Sequence, residues 1–307
     1  MKEIESWKDG QWIPNSKIGT NLWDAHYFFG WSVFDAFRTY NHNFHMLDCH
    51  IARFYKSARL SGIDIKQSER ELIDLINITK NHNASFFPSD EEYRFMIFAS
   101  PGYFKIYDDM GDPGVSLTIN LTTTSRYAKH VAPYLDTGVT SLISSQRQIP
   151  SRFLNPKIKS CSRLHYGLAD LEAAQYGKGV TPILLDEHGY ISESSGSNIS
   201  FVKGNNLCVP ISSKLEGCTE RSIMSITDMN VITDDWDVYD LIDSDGIIFT
   251  STFSGITSSW NLIYRNKKYK LNKTDKINKL IDSFSEHVEV DVNKQWKDWM
   301  ANIKKET

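Results

Sequence analysis

The chain has no run that approaches the roughly 18 consecutive apolar residues of a membrane span. Its first residues, MKEIESWKDGQW, lack the apolar core of a secretory signal, so the expectation is a soluble, cytoplasmic protein with no membrane partner. Cysteine is scarce: four residues, at positions 49, 161, 208 and 218, with no CxxC spacing to suggest a zinc site or a redox motif. Basic stripes are also missing. The formal net charge is −4, and without clustered Lys and Arg to neutralise phosphates a nucleic-acid surface is excluded. Gly10, Gly19, Gly30 and Gly62 make no GxGxxG pattern, which argues against a Rossmann site. His42 and His45 have HxxH spacing but no third ligand follows them, so they read as loop histidines and no metal is expected. There is no internal repeat and no low-complexity tract.

What is present is a chain of 307 residues, enough for one large domain or two ordinary ones, with 40% hydrophobic and 23% charged residues. Aromatics reach 12%, which suits packed cores together with an interface or a ring-binding pocket. Residues 31–40, 92–99 and 115–123 read as strands. Residues 48–60 read as a helix that Asp48 can cap, with Ile51, Tyr55 and Ala58 on one face and Gly62 to end it. Ser68-Glu69-Arg70-Glu71 fits a capping box that opens a second helix. Apolar periodicity is lost over 124–136, around Pro133.

Further on, 139–145, 182–185, 190–192, 198–203 and 247–250 read as strands. Residues 162–176 read as a helix with Leu164, Leu168 and Leu171 on one face. Residues 219–229, which Thr219 can cap, and 275–287 complete the helices. The expected fold class is α+β, or mixed α/β. A small N-terminal domain (1–125) is joined by a linker (126–136) to a larger C-terminal domain (137–307).

Four places offer chemistry, each with a plainer alternative. In Asn155-Pro156-Lys157-Ile158-Lys159-Ser160 two lysines two apart point to the same side of an extended stretch, and a desolvated lysine can form a Schiff base; a solvated turn has the same look. Glu193 precedes a small-residue stretch ending at Asn198. A carboxylate there can hold a pyridine nitrogen protonated, or it can belong to a surface hairpin. Leu215-Glu216-Gly217-Cys218-Thr219 leads into a helix start, an anion site in kind, although most helix starts bind nothing. Arg53 lies near the apolar face of its helix and needs a partner, either a phosphate or an intramolecular carboxylate.

In their order along the chain these features resemble the class IV aminotransferases, the fold-type IV pyridoxal-phosphate (PLP) enzymes. That group includes branched-chain and D-amino-acid aminotransferases, (R)-amine transaminases and aminodeoxychorismate lyases. Gly30-Trp31-Ser32-Val33-Phe34-Asp35-Ala36-Phe37-Arg38 is similar to the family block G-x-x-V-F-E-x-x-R. His50-Ile51-Ala52-Arg53-Phe54 with Ser57-Ala58 is similar to H-x-x-R-L-x-x-S-A. Ile158-Lys159-Ser160 resembles I-K-S, and the stretch from Asp186 to Glu193 resembles L-D-x-x-G-x-V-x-E. Gly217-Cys218-Thr219 stands where the family has G-I-T, and Thr250-Ser251-Thr252 where it has a T-S-T-like turn.

The resemblance implies a two-domain, D-amino-acid-aminotransferase-like fold whose larger domain carries the PLP lysine, and a homodimer. The lysine in Schiff-base linkage would be Lys159. Arg53, the backbone at Cys218 and Thr219, and Thr252 would hold the cofactor phosphate, and Glu193 would face the pyridine nitrogen, with Asn198 on the motif's asparagine. Arg38 and Arg94 are the candidates for a substrate carboxylate, with Arg147 a weaker third. The implied reaction moves an amino group between an amino acid or amine and a 2-oxo acid. The alternatives are a lyase of the aminodeoxychorismate type and a non-catalytic PLP-binding paralogue. The chain departs from the family at Ser200, at Glu216 and Glu220 in place of Pro and Arg of L-P-G-I-T-R, and at Gly255 and Ser258, which bears on substrate class.

Overall fold

A computed structural model describes residues 3–211 and 213–306. The chain forms two compact units. The first runs up to Ser125 and adds Ile158–Arg163; the second takes Arg126–Lys157 and everything from Leu164 onward.

In the first unit six antiparallel strands lie in the order Gln11–Pro14, Glu5–Lys8, Ser116–Thr123, Tyr93–Ser100, Val33–Tyr40, Asn43–Phe44. Side chains alternate across the sheet. Val33, Phe37, Phe95 and Ile97 go to one face, where they form a core with Ile51 and Phe54 of the helix Leu47–Leu60 and Leu72 and Ile76 of the helix Glu69–His82. Each such side chain contributes about 1.5–3 kcal/mol through burial. The other face carries Phe34, Ala36 and Arg38, cross-strand partners of Phe98, Met96 and Arg94. The capping box forms as expected, with Ser68 and Glu71 exchanging hydrogen bonds. Asp48, in contrast, caps nothing. The helix starts one residue earlier behind Met46, which is left-handed at φ 54°, and Asp48 sits in the first turn, where it faces the positive end of the helix dipole.

Ile158–Arg163 joins this unit through main-chain bonds to the start of Val33–Tyr40. The Phe34 N–H donates to the Lys159 carbonyl at 2.9 Å and the Cys161 N–H to the Ser32 carbonyl at 3.0 Å. Sequence position alone puts Lys159 in the C-terminal half; long-range pairing places its segment with the N-terminal sheet instead. Residues 126–136, expected as a linker, have local structure of their own. They form successive helical turns, Ser125–Tyr127, Ala128–Val131 and Ala132–Tyr134. Pro133 stands at the start of the last turn, where its missing N–H has no partner to lose.

The second unit is built on a mixed eight-stranded sheet in the order Asn230–Asp234, Asn206–Pro210, Asn198–Lys203, Gly246–Ser251, Gly255–Tyr264, Val139–Arg147, Val180–Leu185, with Lys267–Lys270 beside Gly255–Tyr264. Ile183, Ile199, Phe201, Ile247, Phe249 and Leu262 form its core. The helix Leu164–Gln175 turns the opposite face inward from the one expected. Tyr166, Ala169 and Ala173 are buried, while Leu164, Leu168 and Leu171 are 76%, 41% and 65% exposed. The two alanines let the helix lie close on Val139–Arg147 and Val180–Leu185, which a leucine face would hold off. A final helix, Val292–Glu306, carries no sequence signal strong enough to read. It is anchored by Trp296 and Trp299, whose rings meet edge to face at 5.0 Å.

Candidate active site

The two lysines of the 155–160 stretch have different surroundings. Lys157 is exposed and pairs with Glu216 at 3.0 Å. Lys159 is half-buried: its N–H donates to the Ser57 hydroxyl at 3.1 Å, and its Nζ lies 4.8 Å from the centre of the Phe34 ring. The Phe34 ring covers one side of the amine and limits its access to water.

Near Lys159, within the first unit, Arg53 meets a carboxylate. Its Nε and Nη2 each donate to an oxygen of Asp35 at 2.8 Å, and His50 Nδ1 lies 2.8 Å from Asp35 Oδ1. Burial pushes the Asp35 carboxyl up, but Arg53 and His50 outweigh it and hold it well below the usual carboxylate range. Burial pushes His50 down, only partly offset by Asp35, while the Arg53 and Lys159 charges push it down further. A proton on Nδ1 lets His50 donate to Asp35. The intramolecular carboxylate that the sequence leaves open for Arg53 is thus present. In the sequence Asp35 shows only as part of a strand motif, because nothing local links a strand residue to a helix fifteen to eighteen positions on.

Asp35→Ala would leave a guanidinium buried without its counter-ion. We expect a loss of about 3–5 kcal/mol in unfolding free energy by urea titration. The pH dependence follows from the depressed acid. Asp35 stabilises the fold above about pH 4, and that contribution falls away as the pH drops through its lowered folded-state pKa. Asp35→Asn should flatten stability against pH over that acidic range.

The two substrate candidates are cross-strand partners on the sheet face opposite the helices, and both are buried. Arg38 is 1% exposed; its Nε donates to the Thr39 carbonyl at 3.0 Å and its guanidinium lies 4.1 Å from the centre of the Tyr40 ring. Arg94 places Nη2 3.1 Å from the Met96 sulfur. A pocket of about 330 Å3 opens on the same unit, lined among others by Ile18, Met96, Phe98, Thr118 and Asn120. Phe98 stacks at 5.9 Å on Phe34, the ring that faces the Lys159 amine.

In the second unit Glu193 is 6% exposed and both its oxygens accept. Oε1 takes the Tyr166 hydroxyl at 2.6 Å and Gln148 Nε2 at 3.0 Å, and Oε2 takes Asn198 Nδ2 at 3.4 Å. Three donors fix the plane of the carboxylate. Gln148 is itself held: its Oε1 accepts from the Ile149 N–H at 2.9 Å and lies 3.0 Å from His165 Nε2. Sequence reading misses Gln148 and Tyr166. Tyr166 has one usable signal, a hydroxyl on the buried side of its helix, but the expected leucine face hides it.

Asn198 ties this carboxylate to the helix start. Its Nδ2 also donates to the Leu215 carbonyl at 2.7 Å, and a Cβ on Gly217 would fall 2.0 Å from its Oδ1. Only glycine fits there. Gly217→Ala should displace Asn198, costing about 1–3 kcal/mol in a thermal melt and loosening Glu193. Gly217, not Thr219, is the N-cap of the helix Cys218–Ile226, and no side chain caps it. Cys218 and Thr219 open its first turn, and the buried Thr219 Oγ1 has no hydrogen-bond partner among the described residues. The hydroxyl of Thr250 is likewise buried without a partner, whereas Thr252 lies half-buried in the turn behind it. An uncapped helix start with unmet hydroxyls fits a phosphate ester, and a carboxylate held on three sides fits a pyridine nitrogen.

A shielded lysine in the first unit, with a braced acid and an anion-binding turn in the second, are the parts that a PLP enzyme requires. The family description "Amino-transferase class IV" matches residues 32–259, and the chain belongs to that family. It is 28% identical over 255 residues to a Methanocaldococcus jannaschii protein provisionally assigned as a branched-chain-amino-acid aminotransferase, covering 81% of this chain and 84% of that one. It is 25% identical over 265 residues to the D-alanine aminotransferase of Bacillus licheniformis, covering 80% and 83%. Among solved structures, the branched-chain aminotransferase of the archaeon Thermoproteus uzoniensis with norvaline superposes with a TM-score of 0.80 at 21% identity, covering 98% of each chain. A branched-chain amino acid aminotransferase solved with pyridoxamine 5'-phosphate also gives 0.80 at 21% identity, covering 97% of this chain and 98% of that one. The mixed α/β fold with two sheets is that of these neighbours. The chain is an aminotransferase, and none of these relatives favours the lyase alternative.

Proposed function

We propose that this aminotransferase holds PLP covalently on Lys159, with Glu193 paired to the pyridine nitrogen. The N–H groups at Cys218 and Thr219 and the Thr252 hydroxyl bind the phosphate, and Arg53, while keeping its Asp35 pair, adds its positive charge. The observation that carries the reading is the Glu193 carboxylate, buried, triply bonded and linked through Asn198 to an uncapped helix start. When bound, the cofactor supplies an electron sink that a side chain cannot.

The protein's own work is acid–base and positional. Lys159 Nζ would hold the cofactor and, once freed by an incoming amine, would take up and return the proton of the substrate α-carbon. The Glu193 carboxylate would hold a protonated ring nitrogen by ion pairing. Tyr166, Gln148 and Asn198 stop Glu193 from rotating away. The Arg94 guanidinium receives the substrate carboxylate, in preference to the more deeply buried Arg38. The substrates are a small amino donor, a branched-chain or D-amino acid in type, and a 2-oxo-acid acceptor.

The test is a half-reaction screen. Holoenzyme is mixed with L-amino acids, D-amino acids and (R)-amines, and loss of the absorbance of the lysine-bound cofactor is followed. One group should bleach the band and release its keto product. A yellow protein indifferent to every donor would instead be the non-catalytic paralogue. We extend the proposal to a homodimer in the cytoplasm; light scattering on the purified protein should give twice the chain mass. Among the described residues no helix is long and apolar enough to cross a membrane.

A further inference from the structure

The helix start that fits a phosphate carries a charge of the wrong sign beside it. Glu220 is in the first turn of Cys218–Ile226, next to Thr219, and is 6% exposed. At this position the L-P-G-I-T-R motif of the resemblance has a cation; this chain has an anion. A bare carboxylate there would oppose an incoming phosphate ester at short range and in poor solvent, where charges act strongly. The structure supplies the answer six residues earlier. Lys214 Nζ lies 2.5 Å from Glu220 Oε1, and the two side chains are only 9% and 8% exposed.

A buried lysine on a loop gives up solvation and rotamer freedom, and this one does so to meet a single carboxylate. Burial pushes the Glu220 acid up, Lys214 draws it back down, and Glu193 pushes it up again. Lys214, Glu220 and Glu193 thus form one electrostatic group, with a net charge of −1 when all are ionised and −2 without the lysine.

We propose that Lys214 is a positioning residue for the cofactor's anionic end: by neutralising Glu220 it preserves the affinity of the Thr219 helix start for a phosphate ester. This rests on the reading that the helix start binds the cofactor phosphate. The effect belongs to the phosphate and not to the ring, so it separates PLP from pyridoxal, which has the same aldehyde and pyridine but no phosphate.

The experiment titrates apoprotein with PLP and, separately, with pyridoxal, following the absorbance of the lysine-bound form. The variants are Lys214→Met, Glu220→Gln, the double variant and Thr219→Val, each with a thermal melt. Lys214→Met should weaken PLP about tenfold while pyridoxal changes less than about twofold. Glu220→Gln should bind PLP at least as tightly as the parent, and the double variant should return to within about twofold of it. Equal weakening for both ligands, or a deficit that persists in the double variant, overturns the inference. So does a Glu220→Gln protein that melts normally but binds PLP more weakly. Thr219→Val separates the two levels. If it leaves the ratio of PLP to pyridoxal affinity unchanged, the helix start is not the phosphate site and the underlying reading fails. If it lowers that ratio and Lys214→Met does not, only the role of Lys214 fails.

Discussion

Lys159→Ala protein should be colourless after dialysis against PLP and should lose transamination by at least about 10^3-fold, since both the covalent anchor and the proton carrier go with one amine. Lys157→Ala is its control. Lys157 is exposed and spends its charge on Glu216, so its removal should leave the colour and change the rate by less than about twofold. The fold should tolerate both changes, because the main-chain bonds of the 158–161 segment to Ser32 and Phe34 do not involve the lysine side chain. If Lys157→Ala were the colourless variant, the assignment of the anchor would move by two residues. An added primary amine should return part of the lost rate to Lys159→Ala, because proton transfer at the substrate carbon needs an amine but not a tether.

The second large effect belongs to Glu193. Glu193→Gln keeps the shape and can still accept from Tyr166, but the ring nitrogen no longer has an ionised partner. The rate should fall on the order of 10^2-fold while PLP still binds. A rate equal to the parent's would remove Glu193 from the chemistry. Tyr166→Phe and Gln148→Met each take one donor from Oε1, and each should cost roughly tenfold with little change in cofactor affinity. If the two residues act through Glu193, their effects should shrink in the Glu193→Gln background.

How much of this is legible in the sequence depends on the range of the interaction. The capping box at Ser68 and the helix Asp275–His287 are readable because their signals lie within a few neighbouring residues. Lys159, Glu193, Asn198 and the Gly217 turn stand out because each sits in a short, ordered motif. Gln148 and Tyr166 do not, since a donor to Glu193 can come from anywhere in the chain and carries no local mark. The helix Leu164–Gln175 misleads for a related reason. Periodicity shows that a face exists, but whether leucines or alanines face inward depends on how closely the sheet approaches. Asp35 is hidden in the same way: it shows only as one residue of a strand motif until its arginine is found on the following helix.

The placement of Ile158–Arg163 in the first unit bears on how the molecule is made. When the residues up to Ser125 have been synthesised, the first unit still lacks the segment that carries Lys159. It arrives only after more than thirty further residues have been synthesised. All six strands of the sheet lie before Ser125, yet the unit is completed late, and a fragment ending at Ser125 would lack both Lys159 and the backbone partners of Ser32 and Phe34. No single proteolytic nick separates the two units intact, because the polypeptide passes from one to the other three times.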